Sequence, residues 1–132
     1  MRKKNSNAEF ASERSELLLR NFRESIRRQS IISAKRAFCE AADMPAPRFW
    51  VTEARATRII RGMIRGEDPT DGMNIEKKAM YQEIFNRVMK MKKENPEMAI
   101  GDIVFTVVNN PAPHSYLSWQ RARGIISKAK RG

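Results

Sequence analysis

Proline cannot continue an α-helix, and it biases the residue before it toward extended backbone. Two prolines around one alanine therefore end any helix and leave a stiff spacer. This chain has two such spacers, Pro45-Ala46-Pro47 and Pro111-Ala112-Pro113, set 66 residues apart in a length of 132. Sliding the sequence by that offset aligns residues 45–66 with 111–132 without a gap and gives nine identities in 22 positions. Beyond the spacers these are Arg55/Arg121, Ala56/Ala122, Ile59/Ile125, Ile60/Ile126, Arg65/Arg131 and Gly66/Gly132, with Trp50/Tyr116, Val51/Leu117 and Thr52/Ser118 conservative. An offset of half the chain predicts two copies of one unit.

Upstream of the spacers the identities fade but the pattern persists. Ala34, Ala37, Phe38, Ala41 and Ala42 fall opposite Ile100, Ile103, Val104, Val107 and Val108. Both sets step i, i+3, i+4, i+7, i+8, one face of a helix. The β-branched run IVFTVV alone would suit a buried strand, but its counterpart AFCEAA is a helix former, so both are expected to be helical. Leu18, Leu19 and Phe22 likewise face Ile84, Phe85 and Val88. The expected fold class is all-α: two pseudo-repeated three-helix units at offset 66, each with a helix–PAP loop–helix motif. The expected helices span about 12–29, 31–43 and 53–65, then 75–94, 98–109 and 119–130. GEDPTDGM (residues 66–73) reads as a linker, and Asn95-Pro96 ends the long helix of the second copy. The division is then 1–66, with a short disordered basic N-terminal tail (MRKK), and 67–132, or alternatively one compact domain.

After each spacer the sequence starts a helix at a set angle. Thr52 and Ser118 stand where an N-cap belongs, with a hydroxyl for the orphan N–H groups of the first turn. Val51 and Leu117 precede the caps and Ala56 and Ala122 follow four positions after, the spacing of a hydrophobic staple. Trp50 and Tyr116 are expected to pack against their own unit and fix the loop, the alternative being a ring that stacks on a base.

The helix after the first spacer has two unlike faces. Ala56, Ile59, Ile60 and Met63 form the apolar stripe; Arg58, Arg61 and Arg65 lie opposite, Arg55 flanks them, and Glu53 is the one acid. Guanidinium forks suit phosphate oxygens and guanine edges. In the second copy the stripe is Ala122, Ile125, Ile126 and Ala129, with Arg121, Arg123, Lys128, Lys130 and Arg131 spread around it. Helix, turn, then a Ser/Thr-capped basic helix resembles the helix-turn-helix family of DNA-binding folds. The resemblance covers roughly residues 31–65 and 98–131, and implies groove or phosphate contacts at Arg55, Arg58, Arg61 and Arg65, with Arg121 and Arg123. It departs in the turn, which takes about eight residues here instead of three or four. The second half is also similar to small uncharacterised proteins of gut bacteria and their mobile elements, a likeness that implies no activity.

Net charge is +11 with 26 Lys and Arg against 15 Asp and Glu, which makes polyanions the leading class of partner. The expected function is nucleic-acid binding, DNA before RNA, through Arg55, Arg58, Arg61, Arg65, Arg48, Arg121 and Arg123. The alternative is a structural or adaptor protein of a larger assembly such as a phage virion, its basic faces meeting acidic protein or packaged nucleic acid; protein partners or self-association stay open. Residues 1–66 carry net +8 and residues 67–132 net +3, so the copies are not electrostatically equivalent. One histidine (His114) and one cysteine (Cys39), distant in sequence, argue against a zinc site or a Cys–His nucleophile pair. There is no phosphate-loop or dinucleotide motif, and the acids Glu67, Asp68 and Asp71 sit in the linker, where they read as turn chemistry. Neither a catalytic role, a cofactor nor a metal is expected. Cysteine poverty and the absence of a long apolar run point to a reducing cytoplasmic setting, the nucleoid or a virion included, and not to a membrane.

Overall fold

The computed structural model describes residues 4–131, with side chains from residue 10 onward. Among them are six helices: α1 (Lys4–Arg28), α2 (Ala34–Asp43), α3 (Glu53–Ile64), α4 (Ile75–Glu94), α5 (Ile100–Val108) and α6 (Trp119–Arg131). Their ends follow from local chemistry. The Ser33 hydroxyl caps α2 by accepting the Arg36 N–H at 3.2 Å, and Thr52 caps α3 through the Arg55 N–H at 3.3 Å. Asn74 caps α4 through the Lys77 N–H at 2.9 Å, and Ser118 caps α6 through the Arg121 N–H at 3.1 Å. Met44 and Asn95, each just before a proline, have left the helical region, at ψ 152° and 68°, because the pyrrolidine ring crowds the preceding residue out of it. Residues 100–108 are helical despite their branched side chains: Ile103, Val104, Val107 and Val108 are buried while Phe105 is 57% exposed.

Two compact units divide the helices. The first comprises residues 1–46 and 112–132 and contains α1, α2 and α6; the second comprises 47–111 and contains α3, α4 and α5. In the first unit every pair of its three helices packs together. The core is Leu18 and Phe22 of α1, Ala37, Phe38, Ala41 and Ala42 of α2, and Ala122, Ile125 and Ile126 of α6. Small residues on α2 leave room for Phe22 and Phe38 to stack, with centroids 4.9 Å apart. Asn21, buried, donates its amide to the Ala41 carbonyl at 3.2 Å, and the Ser25 hydroxyl donates to Glu40 at 2.6 Å. Ala46 and Ala112 form an isolated antiparallel bridge, exchanging N–H···O bonds of 2.9 and 2.8 Å.

In the second unit α3 packs on both α4 and α5, which also pack on each other. Its buried set is Phe49, Trp50, Val51, Ala56, Ile59, Ile60, Met80, Tyr81, Ile84, Val88 and the four apolar residues of α5. The loop before α3 is braced by two arginines. Arg48 donates Nε to the Phe49 carbonyl (2.9 Å) and Nη2 to that of Val51 (2.8 Å). Arg87 lies 5.1 Å over the Phe49 ring, donates to the Pro111 carbonyl at 2.9 Å and pairs with Glu83 at 2.7 Å.

Several expectations are revised. The compact units do not follow the halves 1–66 and 67–132: α3 packs with α4 and α5 of the other half, and α6 with α1 and α2. The first helix begins at Lys4, not near residue 12; Met1, Arg2 and Lys3 of the expected basic tail lie outside the described residues. The second and fifth helices start later than expected, at 34 and 100, because Ser33 and the Pro96 turn (Met98 N–H to the Asn95 carbonyl, 3.0 Å) hold the residues before them. Cys39, which its Ala-rich apolar helix leads one to expect as a buried structural thiol, is only half-buried. No helix of the described residues is long and apolar enough to cross a membrane.

Candidate nucleic-acid interface

The arginines singled out from sequence fall on two different units. Arg48, Arg55, Arg58, Arg61 and Arg65 belong to the second, and Arg121 and Arg123 to the first. In the second unit, burial of Ala56, Ile59 and Ile60 against α4 and α5 turns the opposite face of α3 outward, so Arg55, Arg58, Arg61 and Arg65 are all exposed. They are not equally available. Arg65 makes a two-point pair with Glu67, at 2.9 and 3.0 Å. That hydrogen bond and charge hold the Arg65 guanidinium above its usual pKa and the Glu67 carboxyl below its own. Arg55 donates Nε to the Tyr81 hydroxyl at 3.3 Å. Arg58 and Arg61 carry no ion pair with a described residue and remain the open cations of this helix. Arg48 is half-buried with its guanidinium committed to two loop carbonyls, the geometry of a brace.

At the start of α3, Glu53 places a carboxylate on the positive end of the helix dipole. Burial pushes this carboxyl up, but the Asn109 amide at 3.1 Å, its own backbone N–H and the Arg48 charge outweigh it and hold it below the usual range. The cationic face of α3 is thus bounded by Glu53 at one end and Glu67 at the other.

In the first unit α6 presents Arg121, Arg123, Lys128, Lys130 and Arg131, all exposed. Residues 112–132 contain no Asp or Glu. Arg123 and Lys35 flank the Trp119 ring, at 5.4 and 5.1 Å from its centre, and Lys130 lies 5.0 Å over Phe22. The charged ends of these side chains thus lie over aromatic faces, a cation–π arrangement. Counted by unit, residues 1–46 and 112–132 hold 15 Lys and Arg and 6 Asp and Glu, net +9; residues 47–111 hold 11 and 9, net +2. Regrouping the helices therefore concentrates the charge further than the halves of the sequence do.

The aromatic after each spacer has a structural environment. Trp50 is 8% exposed. Tyr116 is half-buried at φ 57°, with its ring edge-on to His114, whose Nδ1 lies 2.9 Å from the Asp43 carbonyl oxygen. Sequence reasoning missed Arg14 of α1. Burial first, and then the charge of Arg121, hold its guanidinium below the usual value. The signal was there: Arg14 sits four residues after Phe10 and four before Leu18, on the apolar stripe of its helix. Compared with known proteins, the chain matches no family model, no curated protein and no solved structure.

Proposed function

We propose that this chain is a small nucleic-acid-binding protein built as a duplicated three-helix unit with exchanged third helices. Three sets of residues at offset 66 support the duplication. Each of the nine core residues of the first unit has a buried counterpart 66 positions away in the second: Leu18/Ile84, Phe22/Val88, Ala37/Ile103, Phe38/Val104, Ala41/Val107, Ala42/Val108, Ala122/Ala56, Ile125/Ile59 and Ile126/Ile60. The Ser115 N–H bonds the Ala42 carbonyl at 2.9 Å, and the Phe49 N–H bonds that of Val108 at 3.0 Å, again a 66-residue relation. The bridging pair Ala46 and Ala112 stands at the same offset. The resemblance to helix-turn-helix proteins enters this reading with the pairing crossed: α6 beside α2, and α3 beside α5, take the place of the groove-facing helix.

The observation that carries the binding role is the charge of the first unit, net +9, with five exposed cations on an α6 segment lacking any acid. Neutralising phosphates releases condensed counterions, so affinity follows the number of cations engaged. Three to five contacts from α6 give a slope of log affinity on log salt of about −3 to −4.5 for duplex DNA. Fluorescence anisotropy of a labelled duplex across a salt series tests this, with micromolar or tighter binding at low salt. Arg121→Gln with Arg123→Gln is expected to flatten the slope by about 2 units, at about 0.9 per lost contact. Arg58→Gln with Arg61→Gln and Arg65→Gln measures the share of α3. Absence of binding to DNA or RNA at low ionic strength, or a flat salt response, refutes the reading.

A second reading has support in the nearly neutral unit. Ile75 is 76% exposed, Phe105 57% and Ile64 40%, surface that suits a protein contact better than a phosphate. A protein of an assembly would use that unit for its partner and the cationic one for packaged nucleic acid.

A further inference from the structure

We propose that the cleft between α1 and α6 is a seat for a phosphate group, gripped by Arg14, Arg121 and Lys128 and by the hydroxyls of Ser12 and Ser15. The cleft encloses about 350 Å³. It is open because both helices present small residues there: Ala11, Ser12 and Ser15 from α1, Gly124 and Ala129 from α6. A methyl group added at Gly124 would meet no atom within 4 Å. Three cations line this space and no carboxylate among the described residues does. Sequence spacing explains the lack: the positions three and four away from Arg14, Arg121 and Lys128 on their own helices hold no Asp or Glu.

Arg14 is the unusual member. Its Nε is buried and has no hydrogen-bond partner among the described residues, a rare state for a guanidinium donor. Its other near neighbour is the Phe10 ring, 6.0 Å from Cζ, and the charge of Arg121 opposes its own. Two arginines held together with an unsatisfied donor form an arrangement that is unfavourable until an anion arrives. A phosphate in the cleft neutralises the repulsion between the two guanidinium groups and accepts from their forks.

The other unit lacks this cleft at the corresponding place. Offset by 66, Arg14 becomes Met80 and Ser15 becomes Tyr81, both buried, and Lys128 becomes Gly62, which lies under Pro69 and Glu67. There the arginine equivalent to Arg121, Arg55, turns to the Tyr81 hydroxyl instead. Only one copy keeps a cationic seat.

The seat rests on the proposed nucleic-acid role only for the source of its phosphate, a backbone phosphodiester; the geometry serves a free phosphate equally. The full chain, labelled with nitrogen-15, is titrated with inorganic phosphate and separately with a short DNA duplex, each against chloride of equal ionic strength. The Arg14 Nε–Hε resonance is expected to move and to exchange more slowly in both arms. Movement with phosphate but no binding of the duplex keeps the seat and removes the nucleic-acid role. Duplex binding that leaves Arg14 unmoved in both arms overturns the seat and leaves the nucleic-acid role standing. Arg14→Met, which removes an orphan donor, is expected to melt no lower than the parent while its phosphate affinity falls at least tenfold. Lys128→Gln, at an exposed position, is expected to lose about threefold of phosphate affinity. Losses under twofold in both variants overturn the assignment.

Discussion

Cutting the linker between α3 and α4 separates two accounts of how this chain folds. A protease site placed between Asp71 and Gly72 enters an exposed turn where Gly72, at φ 84°, has no neighbour of its own. Cleavage yields residues 1–71, carrying α1 to α3, and 72–132, carrying α4 to α6. Because α3 packs on α4 and α5, and α6 on α1 and α2, each piece holds helices whose buried faces belong to the other. Phe49, Val51, Ile59 and Ile60 of the first piece and Ile125 and Ile126 of the second are at most 6% exposed. At about 1.5–3 kcal/mol for each large apolar side chain, separation forfeits roughly 9–18 kcal/mol. That is of the same order as the ~5–15 kcal/mol by which a domain is stable. Neither piece is therefore expected to keep its fold alone. In the separate first piece the bridge to Ala112 is gone, and the stiffness of Pro45-Ala46-Pro47 alone limits how far α3 can double back onto α2. After cleavage the pieces are expected to co-elute at the size of the intact chain. Made separately, each should show weak helical circular dichroism, and mixing at one to one should restore it. A separate 1–71 piece that is monomeric and unfolds cooperatively would refute the exchange.

The remaining expectations are local. Gly124→Ala adds a methyl group to a helix interior with open space around it, and should raise stability by about 0.5–1 kcal/mol. Gly62→Ala should not, since its Cβ would come within 3.1 Å of Pro69 Cγ and 3.2 Å of Glu67 Oε1; thermal melts of the pair check both. Thr52→Ala and Ser118→Ala each remove an N-cap and should cost about 1 kcal/mol in denaturant unfolding. The Ser25 hydroxyl first, then Arg36 and Arg28, hold the Glu40 carboxyl below its usual value. A carboxyl depressed on folding stabilises fully above its unfolded pKa, and that contribution disappears as pH falls through the lower folded value. Ser25→Ala should therefore flatten the acid limb of the melting curve, and an unchanged limb would show that this contact does not couple to stability.

Helix positions were legible because their punctuation is chemical and local. Thr52 and Ser118 cap where their hydroxyls suggest, and Pro45, Pro96 and Pro111 stop what precedes them, whereas the Asn74 cap of α4 was not read from the sequence. The nature of residues 100–108 came from comparison with AFCEAA, since the segment's own β-branched residues point the other way. The pairing of third helices was not legible. Ala56-Ile59-Ile60 and Ala122-Ile125-Ile126 are the same stripe, so either could sit on either helix pair. The connections that could decide it, nine residues between α2 and α3 and ten between α5 and α6, leave no mark in hydrophobic spacing. The same regrouping moved the electrostatic weight from α3, on which the sequence places four arginines, to the unit of α1, α2 and α6. Of the candidate residues, Arg58, Arg61, Arg121 and Arg123 are exposed as expected, whereas Arg48 and Arg65 already serve as a loop brace and an ion-pair partner.

The small Ala46–Ala112 bridge has a consequence for how the chain can be rebuilt. An antiparallel hydrogen-bonded pair holds its Cα atoms about 5.5 Å apart, a gap that a two-residue hairpin turn closes. From the standpoint of the first unit, residues 47–111 are then a 65-residue insertion whose two ends leave side by side. Excising them and joining Ala46 to Ala112 through Asn-Gly would leave a 67-residue natural sequence with its core of α1, α2 and α6 complete. Such a minimal protein would carry net +9 and all five cations of α6. The larger architecture would then be severable at one splice, with the strongly cationic half portable and the other half free to be exchanged.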